Sequence, residues 1–493
     1  MSPARRPNPF VAAVLSAVVP GAGQWYAGSR RRARVYLIVT VVLVLPAIFL
    51  YLMVFYVSGI GLALTLSRPF FEHPDLLVLL LVANAALLVF RAVAVVDAFL
   101  LASGRTLGGG ATGAVVLGLA FVLFLTALPH GWVGHRNLLL YDLLTHDFNA
   151  DPGQVVSTTI SSGTGPDETT STTVTTRSDV FPNEGRVNLL LMGADSGVGR
   201  ESIRTDTMVI VSIDPETGWT AMFSIPRNLK EVPLPPDHPA SNWWGDACPG
   251  CYPQTLFLMY ADARTRSDLW GLPNSGANAM KATLGYLLGI EIHYYAMVDM
   301  VGFITIVDAI GGVDIRVAER VYNAEYMYSP GEDPAVLDIQ PGLQHLDGRT
   351  ALGYARSREQ GDDFDRMSRQ RCVLQAIAAQ TDPVTVLREF PTLVPVIEDN
   401  VFTDIPVSAI PDFIELLEKF NPEEVVSVRY MPDAPEFEGT STSYIAGWTS
   451  DLFPIPDRDF IAERTATALR LPPLEAIEAL GLQRLEDVCE LTP

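Results

Sequence analysis

The first 130 residues contain long apolar stretches, whereas the rest of the chain changes between apolar and polar positions over short distances. Three stretches have the length of a bilayer-spanning helix, which needs about 20 apolar residues. They cover residues 35–57, 76–101 and 111–128. A fourth stretch, residues 9–27, is broken by Pro20 and the glycines after it, which favours an interfacial or re-entrant helix but leaves a fourth span open. The pattern predicts a multi-span membrane anchor.

Charge divides the chain near the same place. Residues 1–150 carry 10 Lys/Arg and 5 Asp/Glu, a net of +5, and the remainder carries 24 and 51, a net of −27, which together give −22. Arginine clusters at residues 5–6 and 30–34 flank the stretch 9–27. The positive-inside rule places both clusters in the cytoplasm, so this stretch does not cross the membrane. Three crossings then put the acidic remainder outside the cell. This acidic balance argues against nucleic acid as a partner.

The chain beyond the apolar region divides where its composition changes. Residues 131–182 are predicted to form a stalk, rich in Ser and Thr from residue 151, because such a run cannot bury a core. Residues 183–435 alternate helix and strand patterns, which predicts a layered α/β domain. Residues 436–493 are predicted to form a loop and a helical extension to which no motif assigns a role.

The start of this domain predicts a strand hairpin that carries charged residues at its open end. Strand patterns occur at residues 187–193, 205–213 and 219–227. Folding the second and third about their turn places Asp206 opposite Pro226, beside Arg227. Asp195 follows the first strand, so two carboxylates and an arginine meet at strand ends. This set suits a hard cation with a phosphate; an ion pair and a turn-capping Asp are the alternative.

Arginine is concentrated in one later segment of this acidic domain. Four lie within fourteen residues: Arg356, Arg358, Arg366 and Arg369. Guanidinium groups bind phosphate or carboxylate bidentately, so the segment predicts an anion site; surface ion pairs are the alternative. Alternation over residues 351–358 predicts a strand, and helical spacing from Asp365 to Gln380 predicts a helix. A strand end and a helix start would then bring the arginines together.

The segment Val301–Ile310 predicts a helix that is apolar on more than one face and ends at Gly311. Ordinary core packing explains such a helix. A lipid-lined pocket is the alternative, and Phe303 and Val307 would then contact the lipid.

The cysteines predict one short disulfide. Cys248 and Cys251 lie three residues apart in a long loop of the external domain, where a structural disulfide is expected. A redox pair would normally lie beside a βαβ pattern, and a metal half-site would need two more ligands. Pairing of Cys372 with Cys489 stays open.

Seven segments, in this order along the chain, resemble the LytR-CpsA-Psr family of cell-wall glycopolymer ligases. They are Leu189–Asp195, Thr205–Met208, Ser224–Arg227, Gly302–Asp314, Gly342–Leu352, Tyr354–Arg358 and Asp362–Gln370. The resemblance implies a three-layer α/β/α domain with a central mixed sheet. It also implies transfer of a polymer from a polyprenyl-pyrophosphate carrier to peptidoglycan, which forms a phosphodiester and releases prenyl monophosphate.

The same resemblance implies roles for individual residues. Asp195 and Asp206 would hold Mg²⁺, or Mn²⁺, against the pyrophosphate. The phosphates would be clamped by Arg227, Arg356, Arg358 and Arg366, with substrate contacts from Gln370, Arg369 and Asp363. Asp206 and Asp363 both stay open as the base that accepts the proton of the acceptor hydroxyl. Asn228 departs from the Asp that the family usually has after the arginine at 227.

Two other functions stay open at this point. One is a non-catalytic cell-wall protein that binds lipid or glycan, which the change at Asn228 would fit. The other is a polyprenyl-pyrophosphate hydrolase that uses the same site with water as the acceptor. Retention of both aspartates and of the four clamp arginines favours the transferase.

Overall fold

The computed structural model describes twelve stretches of the chain and forms two compact units, Met1–His146 and Asp147–Pro493. The described residues are 7–52, 59–104, 113–146, 185–195, 203–328, 333–359, 363–380, 393, 397–421, 424–430, 444–484 and 489. The predicted Ser/Thr-rich linker from residue 151 lies outside them. Each unit is described by itself.

Helices make up the described part of the first unit. They are α1 (Pro9–Val18), α2 (Ala22–Tyr26), α3 (Arg30–Leu52), α4 (Gly59–Glu72), α5 (Asp75–Ser103) and α6 (Gly113–Thr145). Among the described residues, α5 and the Val115–Thr145 part of α6 are long and apolar enough to cross a membrane. Helix α6 continues past the predicted end at Leu128, through Pro129, so the start of the predicted stalk is helical.

Two charged residues, Arg91 and Asp97, lie inside the middle predicted span, and both have partners. Asp97 accepts hydrogen bonds from Arg32 at 2.5 Å and from the buried Gln24 at 3.2 Å. Arg91 donates to the carbonyl of Ala17. Because charged groups are costly in an apolar layer unless they are paired, these contacts attach the short N-terminal helices to α5.

A six-stranded mixed sheet forms the centre of the second unit. Its strands are β1 (Val187–Asp195), β2 (Arg204–Ile213), β3 (Thr220–Ser224), β6 (Tyr294–Asp299), β11 (Val401–Thr403) and β12 (Val425–Arg429). Their order is β11-β6-β1-β2-β3-β12. Strand β1 runs parallel to β6, and β3 runs parallel to β12, while the other neighbours are antiparallel.

Shorter strands and helices surround this sheet. The strands are β4 (Val232–Pro233), β5 (Cys251–Tyr252), β7 (Val313–Val317), β8 (Val321–Tyr326), β9 (Ala335–Ile339), β10 (Gly342–Leu346), β13 (Ile445–Trp448) and β14 (Pro454–Pro456). The helices are α7 (Met259–Ala263), α8 (Ser267–Trp270), α9 (Ser275–Leu288), α10 (Met300–Ala309), α11 (Gly348–Arg356), α12 (Asp363–Gln380), α13 (Ile410–Glu418), α14 (Arg458–Arg470) and α15 (Pro473–Ala479).

Helices cover both faces of the central sheet. On one face α7, α9, α14 and α15 pack over a buried cluster that includes Leu190, Phe223 and Tyr295. On the other face Leu416 of α13 packs on Val187, and Leu374 of α12 lies in a second cluster. The predicted three-layer α/β/α domain with a central mixed sheet is therefore confirmed. Helices α14 and α15 contribute to the main core, so this part of the C-terminal extension is integral to the domain.

The strand predicted over residues 351–358 is wrong, because the chain forms helix α11 there. Asp347 caps its start by accepting a hydrogen bond from the Thr350 amide at 2.8 Å. Gly348 lets the helix approach α10, since a Cβ there would lie 2.1 Å from the Ile304 carbonyl oxygen. Ala351 and Ala355, four residues apart, are buried on one side. An eight-residue alternation does not distinguish these two structures.

Both disulfides form. Cys248 pairs with Cys251, as predicted, and Cys372 of α12 pairs with Cys489. They close loops of very different size, with sequence separations of 3 and 117 residues. Under the loop-entropy model the long loop contributes about 5 kcal/mol and the short one about 2 kcal/mol, before any strain.

We therefore expect the free energy of unfolding to fall further below the parent value in the double variant Cys372→Ser/Cys489→Ser than in Cys248→Ser/Cys251→Ser. Urea unfolding of the full-length protein in detergent, followed by tryptophan fluorescence, measures this difference, and the short-loop variant is the matched control. Equal losses in the two variants would contradict the loop-size argument.

Candidate active site

A cavity of about 320 Å³ lies at the carboxyl ends of the parallel strands β1 and β6. Residues from these strands, from β2 and β8 and from α10, α11 and α12 line it. They are Leu191, Met192, Gly193, Ala194, Asp195, Asp206, Thr207, Ala296, Val298, Asp299, Met300, Phe303, Ile306, Tyr326, Leu352, Ala355, Arg356, Arg358, Arg366, Gln370, Val373, Leu374 and Ile377. The lining combines an apolar portion with a set of charged side chains.

The apolar portion comes mainly from the helices. Phe303 and Ile306 of α10 and Val373 and Ile377 of α12 are among its lining residues. Phe303, which was predicted to contact the lipid, therefore lines the cavity. Val307 is fully buried in a neighbouring core cluster and is not part of the lining. Helix α10 therefore serves the cavity with one face and the core with another.

The arginine segment converges on the cavity as the sequence predicts, although from a helix end and the loop after it. Arg356 ends α11, Arg358 follows in the loop, and Arg366 and Gln370 project from α12. Arg358 is exposed, whereas Arg366 is only 3% exposed. The cavity therefore has arginine both at depth and at its rim, where two ends of an anionic group can be bound.

Arg356 lines the cavity and contacts two protein groups. One terminal nitrogen donates to the Tyr328 carbonyl at 3.3 Å, and the other lies 3.8 Å from Oδ1 of Asp195. Asp195 is buried at the end of β1. The guanidinium is thus held in place by a carbonyl and a carboxylate while it lines the cavity.

Asp206 is placed by a bulge that the sequence does not reveal. The β1–β2 register shifts by one, from Gly193 opposite Thr207 to Ala194 opposite Thr205, so Asp206 is the extra residue on β2. Such bulges redirect a side chain. Asp206 lies near Arg227, as predicted, and forms an ion pair with it, which is the alternative that the sequence left open.

The hairpin register differs slightly from the prediction. The β2–β3 ladder pairs Val209 with Ser224, and extending it places Asp206 opposite Arg227 itself, one residue further than predicted. The Arg227 guanidinium also lies 5.4 Å from the centre of the Phe257 ring. Arg227 thus reaches the site through Asp206 and is not itself a lining residue.

Two further site predictions have different outcomes. Arg369 turns away from the cavity: its Nε donates to the Tyr354 carbonyl at 2.9 Å, and a terminal nitrogen donates to the Ser357 carbonyl. It therefore satisfies carbonyl groups at the end of α11. The side chain of Asp363 lies outside the described part of the structure, so its predicted role stays a prediction.

Three polar lining residues were not predicted: Thr207, Asp299 and Tyr326. Asp299 had a usable signal, because an aspartate directly before an apolar helix is a typical N-cap. It accepts a hydrogen bond from the Gly302 amide at 2.8 Å. Tyr326 had none, since only the folding of the β8–β9 hairpin brings it to the cavity.

Burial raises the pKa of Asp299 above its usual range, although hydrogen bonds from the Gly302 and Val301 amides partly oppose this. Its strand neighbour in β1 is Ala194, next to Asp195. A third carboxyl group thus stands at the same sheet edge as the two predicted metal ligands, at the head of the most apolar cavity helix.

Asp195 and Asp206 fit a magnesium site in which a bound phosphate ligand completes the coordination of the metal. Asp195 and Asp206 line the same cavity as the arginines, and Mg²⁺ is usually bound by one or two carboxylates together with phosphate oxygens and water. The described residues contain no group of three or more His, Cys, Asp or Glu side chains arranged to hold a metal. Phosphate and water would therefore have to supply the remaining ligands.

The structure defines an α/β/α domain whose cavity combines an apolar portion with arginine and aspartate side chains. The model of the LytR_cpsA_psr family matches residues 155–450, which is more than half of the chain. This protein belongs to that family, and the resemblance found in the sequence is confirmed.

Two curated relatives illustrate the similarity. The chain is 34% identical over 214 residues to the probable cell wall biosynthesis protein LcpB of Corynebacterium glutamicum, covering 43% of this chain and 41% of that protein. It is 26% identical over 221 residues to the polyisoprenyl-teichoic acid–peptidoglycan teichoic acid transferase TagU of Bacillus cereus, covering 44% and 60%. The chain thus spans about half the length of the curated relatives it matches.

Among solved structures, that of B. subtilis TagV aligns with 61% of this chain and 100% of its own, at 19% identity and a TM-score of 0.42. A similarity at that score adds nothing to the family assignment.

The raised pKa of Asp299 gives a pH-dependent prediction. A carboxyl group whose pKa is higher in the fold than in the unfolded chain makes the fold lose stability as the pH rises from 3.8 through the folded pKa. Asp299→Asn removes this titration but keeps an N-cap oxygen for the Gly302 amide. We expect its stability relative to the parent protein to increase as pH rises through that window, measured by urea unfolding of the full-length protein in EDTA.

Asp299→Ala is the control for this experiment, because it removes both the charge and the cap. It should lose about 1 kcal/mol relative to Asp299→Asn at every pH. A stability difference between Asp299→Asn and the parent protein that is flat with pH would contradict the argument.

Proposed function

We propose that this protein is a phosphotransferase that moves a cell-wall glycopolymer from a polyprenyl-pyrophosphate carrier onto peptidoglycan, releasing prenyl monophosphate. Membership of the LytR_cpsA_psr family and the names of the relatives, which concern cell wall biosynthesis and teichoic acid transfer, support a transferase role. The carrier, the bond formed and the metal are part of the proposal.

One observation carries it: a single cavity combines an apolar portion with arginines and carboxylates. A polyprenyl pyrophosphate has the same two-part chemistry, because a hydrocarbon chain is joined to a compact polyanion. Phe303 and Ile306 would contact the hydrocarbon. Arg356, Arg358 and Arg366 would bind the phosphates, since guanidinium groups match phosphate oxygens bidentately.

The proposed reaction transfers the phosphoryl group that bears the polymer. A hydroxyl oxygen of the acceptor forms a bond to the phosphorus nearest the sugar. The bond between this phosphorus and the bridging oxygen breaks, and prenyl monophosphate leaves with the electron pair. The hydroxyl proton passes to a carboxylate, for which Asp206 and Asp363 are the proposed candidates. The product is a phosphodiester between polymer and peptidoglycan.

Catalysis of this kind depends mainly on positioning and on neutralising charge. Arg356, fixed between Tyr328 and Asp195, would neutralise charge on the leaving phosphate without moving. Gln370 would donate a hydrogen bond beside it. Asp195 and Asp206 would hold Mg²⁺, which when bound would supply further neutralisation of the pyrophosphate.

We also propose that the first unit anchors the protein in the cell membrane with several spans and that the second unit faces outward. The two long apolar helices and the arginine clusters around residues 5–6 and 30–34 support this orientation under the positive-inside rule. This arrangement places the cavity on the side where peptidoglycan is found.

Arg356→Ala should lower the rate of prenyl monophosphate release by about 100- to 1,000-fold, by analogy with the loss of one oxyanion donor. Full-length protein in detergent would be incubated with a polyprenyl-pyrophosphate-linked oligosaccharide, peptidoglycan fragments and Mg²⁺, and the products measured by mass spectrometry. EDTA should abolish release in the parent protein.

Arg349→Ala is the matched control, because Arg349 lies on the same helix but stacks on Tyr328, with its guanidinium 4.2 Å from the ring centre, and does not line the cavity. It should retain activity. Release of free sugar phosphate in place of a peptidoglycan adduct would identify a hydrolase, and bound but unchanged lipid would identify a non-catalytic binding protein.

The topology gives a separate prediction. A periplasmic-type alkaline phosphatase reporter fused after His146, beyond the end of α6, should be active in intact cells, and a fusion after Ser103 at the end of α5 should be inactive. The reverse pattern would contradict the proposed outward orientation.

A further inference from the structure

Tyr326 is a polar residue of the cavity to which the proposed chemistry gives no role. It is the last residue of β8, it is 7% exposed, and it lines the same cavity as Arg356 and Asp195. A buried hydroxyl normally has a hydrogen-bond partner, and the hydroxyl of Tyr326 has none among the described residues.

Among the residues that the structure describes, nothing accepts the hydrogen of this hydroxyl. Its charged neighbour is Arg356, and a guanidinium carries only N–H donors. However Arg356 is oriented toward the phenol oxygen, it leaves the O–H hydrogen without an acceptor. The hydroxyl therefore carries a donor hydrogen that the described part of the protein does not use.

The protonation state agrees with a donor role. Burial raises the pKa of Tyr326 above its usual value of 10.0, and the charge of Arg356 opposes this only in part. The phenol thus keeps its hydrogen at neutral pH. It is a neutral donor beside a cationic one, an arrangement that suits an oxygen-rich anion.

We propose that Tyr326 binds substrate, by donating its hydroxyl hydrogen to a phosphoryl oxygen of the lipid-linked pyrophosphate that Arg356 also binds. This inference rests on the proposed function for the identity of the ligand. It adds a specificity residue from β8, an element that supplies no predicted site residue.

The neighbouring Tyr328 shows why packing alone does not explain the hydroxyl. The two rings meet edge to face with their centres 4.7 Å apart, and both belong to the same core cluster. Tyr328 is 8% exposed, yet it does not line the cavity. A phenylalanine would fill the packing role at either position, so packing leaves the unpartnered hydroxyl of Tyr326 unexplained.

Tyr326→Phe and Tyr328→Phe are a matched pair of variants, because each removes one oxygen from a buried ring of the same cluster. The second leaves the Tyr328 backbone carbonyl, which accepts from Arg356, intact. Full-length proteins in detergent would be compared for kcat and KM of prenyl monophosphate release, for the Kd of polyprenyl pyrophosphate without sugar, and for Tm.

We expect Tyr326→Phe to lower kcat/KM and weaken pyrophosphate binding by about 10- to 100-fold, as for a lost hydrogen bond to a charged group. Tyr328→Phe should keep the parent values, and the two variants should have similar Tm values. Binding of polyprenol without phosphate should be equal in all three proteins.

The inference is overturned if Tyr326→Phe binds polyprenyl pyrophosphate with the parent Kd, or if both variants lose binding together with Tm. Parent protein that binds the pyrophosphate but releases no prenyl monophosphate would overturn the proposed function instead. In that case the binding comparison still decides the role of Tyr326.

Discussion

The burial of guanidinium groups beside an apolar cavity is the constraint on which the site depends. Arg366 is only 3% exposed, and Arg356 lies between the Tyr328 carbonyl and the Asp195 carboxylate. Removing a charged group from water is costly unless other groups replace the lost hydration. The carboxylates at the sheet edge are therefore structural partners of the arginines as well as candidate metal ligands.

Helix α12 meets this constraint by pointing its polar residues in different directions. Arg366 and Gln370 face the cavity, while Arg369 satisfies carbonyl groups at the end of α11. Arg371 reaches the opposite way and donates to Ser427 on β12, and burial and the nearby Arg429 charge lower the pKa of Arg371 to about 9. One arginine-rich segment thus binds three parts of the domain together. A sequence count of arginines shows only that they are concentrated, because residues one position apart on a helix point about 100° apart.

The sequence predicts the strands of the central sheet and the charged hairpin end well, because buried strands and turn residues leave strong local patterns. Strands β1 and β2 cover the predicted ranges 187–193 and 205–213, and β3 lies within the predicted range 219–227. Alternation at residues 351–358 misleads because the run is short and its N-cap signal, Asp347 followed by Gly348, also resembles a turn. The bulge at Asp206 has no local signal, since it is defined only by pairing with β1. Tyr326 has no local signal either, since only the folding of the β8–β9 hairpin brings it to the site.

The topology explains how acidic and basic groups from distant parts of the chain meet. Strands β1 and β6 are parallel, so Asp195 and Asp299 end at one edge of the sheet. Strand β2 runs antiparallel to β1, so its start, with Asp206, lies at that edge too. The carboxylates are therefore fixed by the sheet, whereas the arginines of the cavity come from α11, α12 and the loop between them. The cavity lies where the sheet meets these helices. A ligand that binds both to a metal held by the carboxylates and to the arginines would fit there.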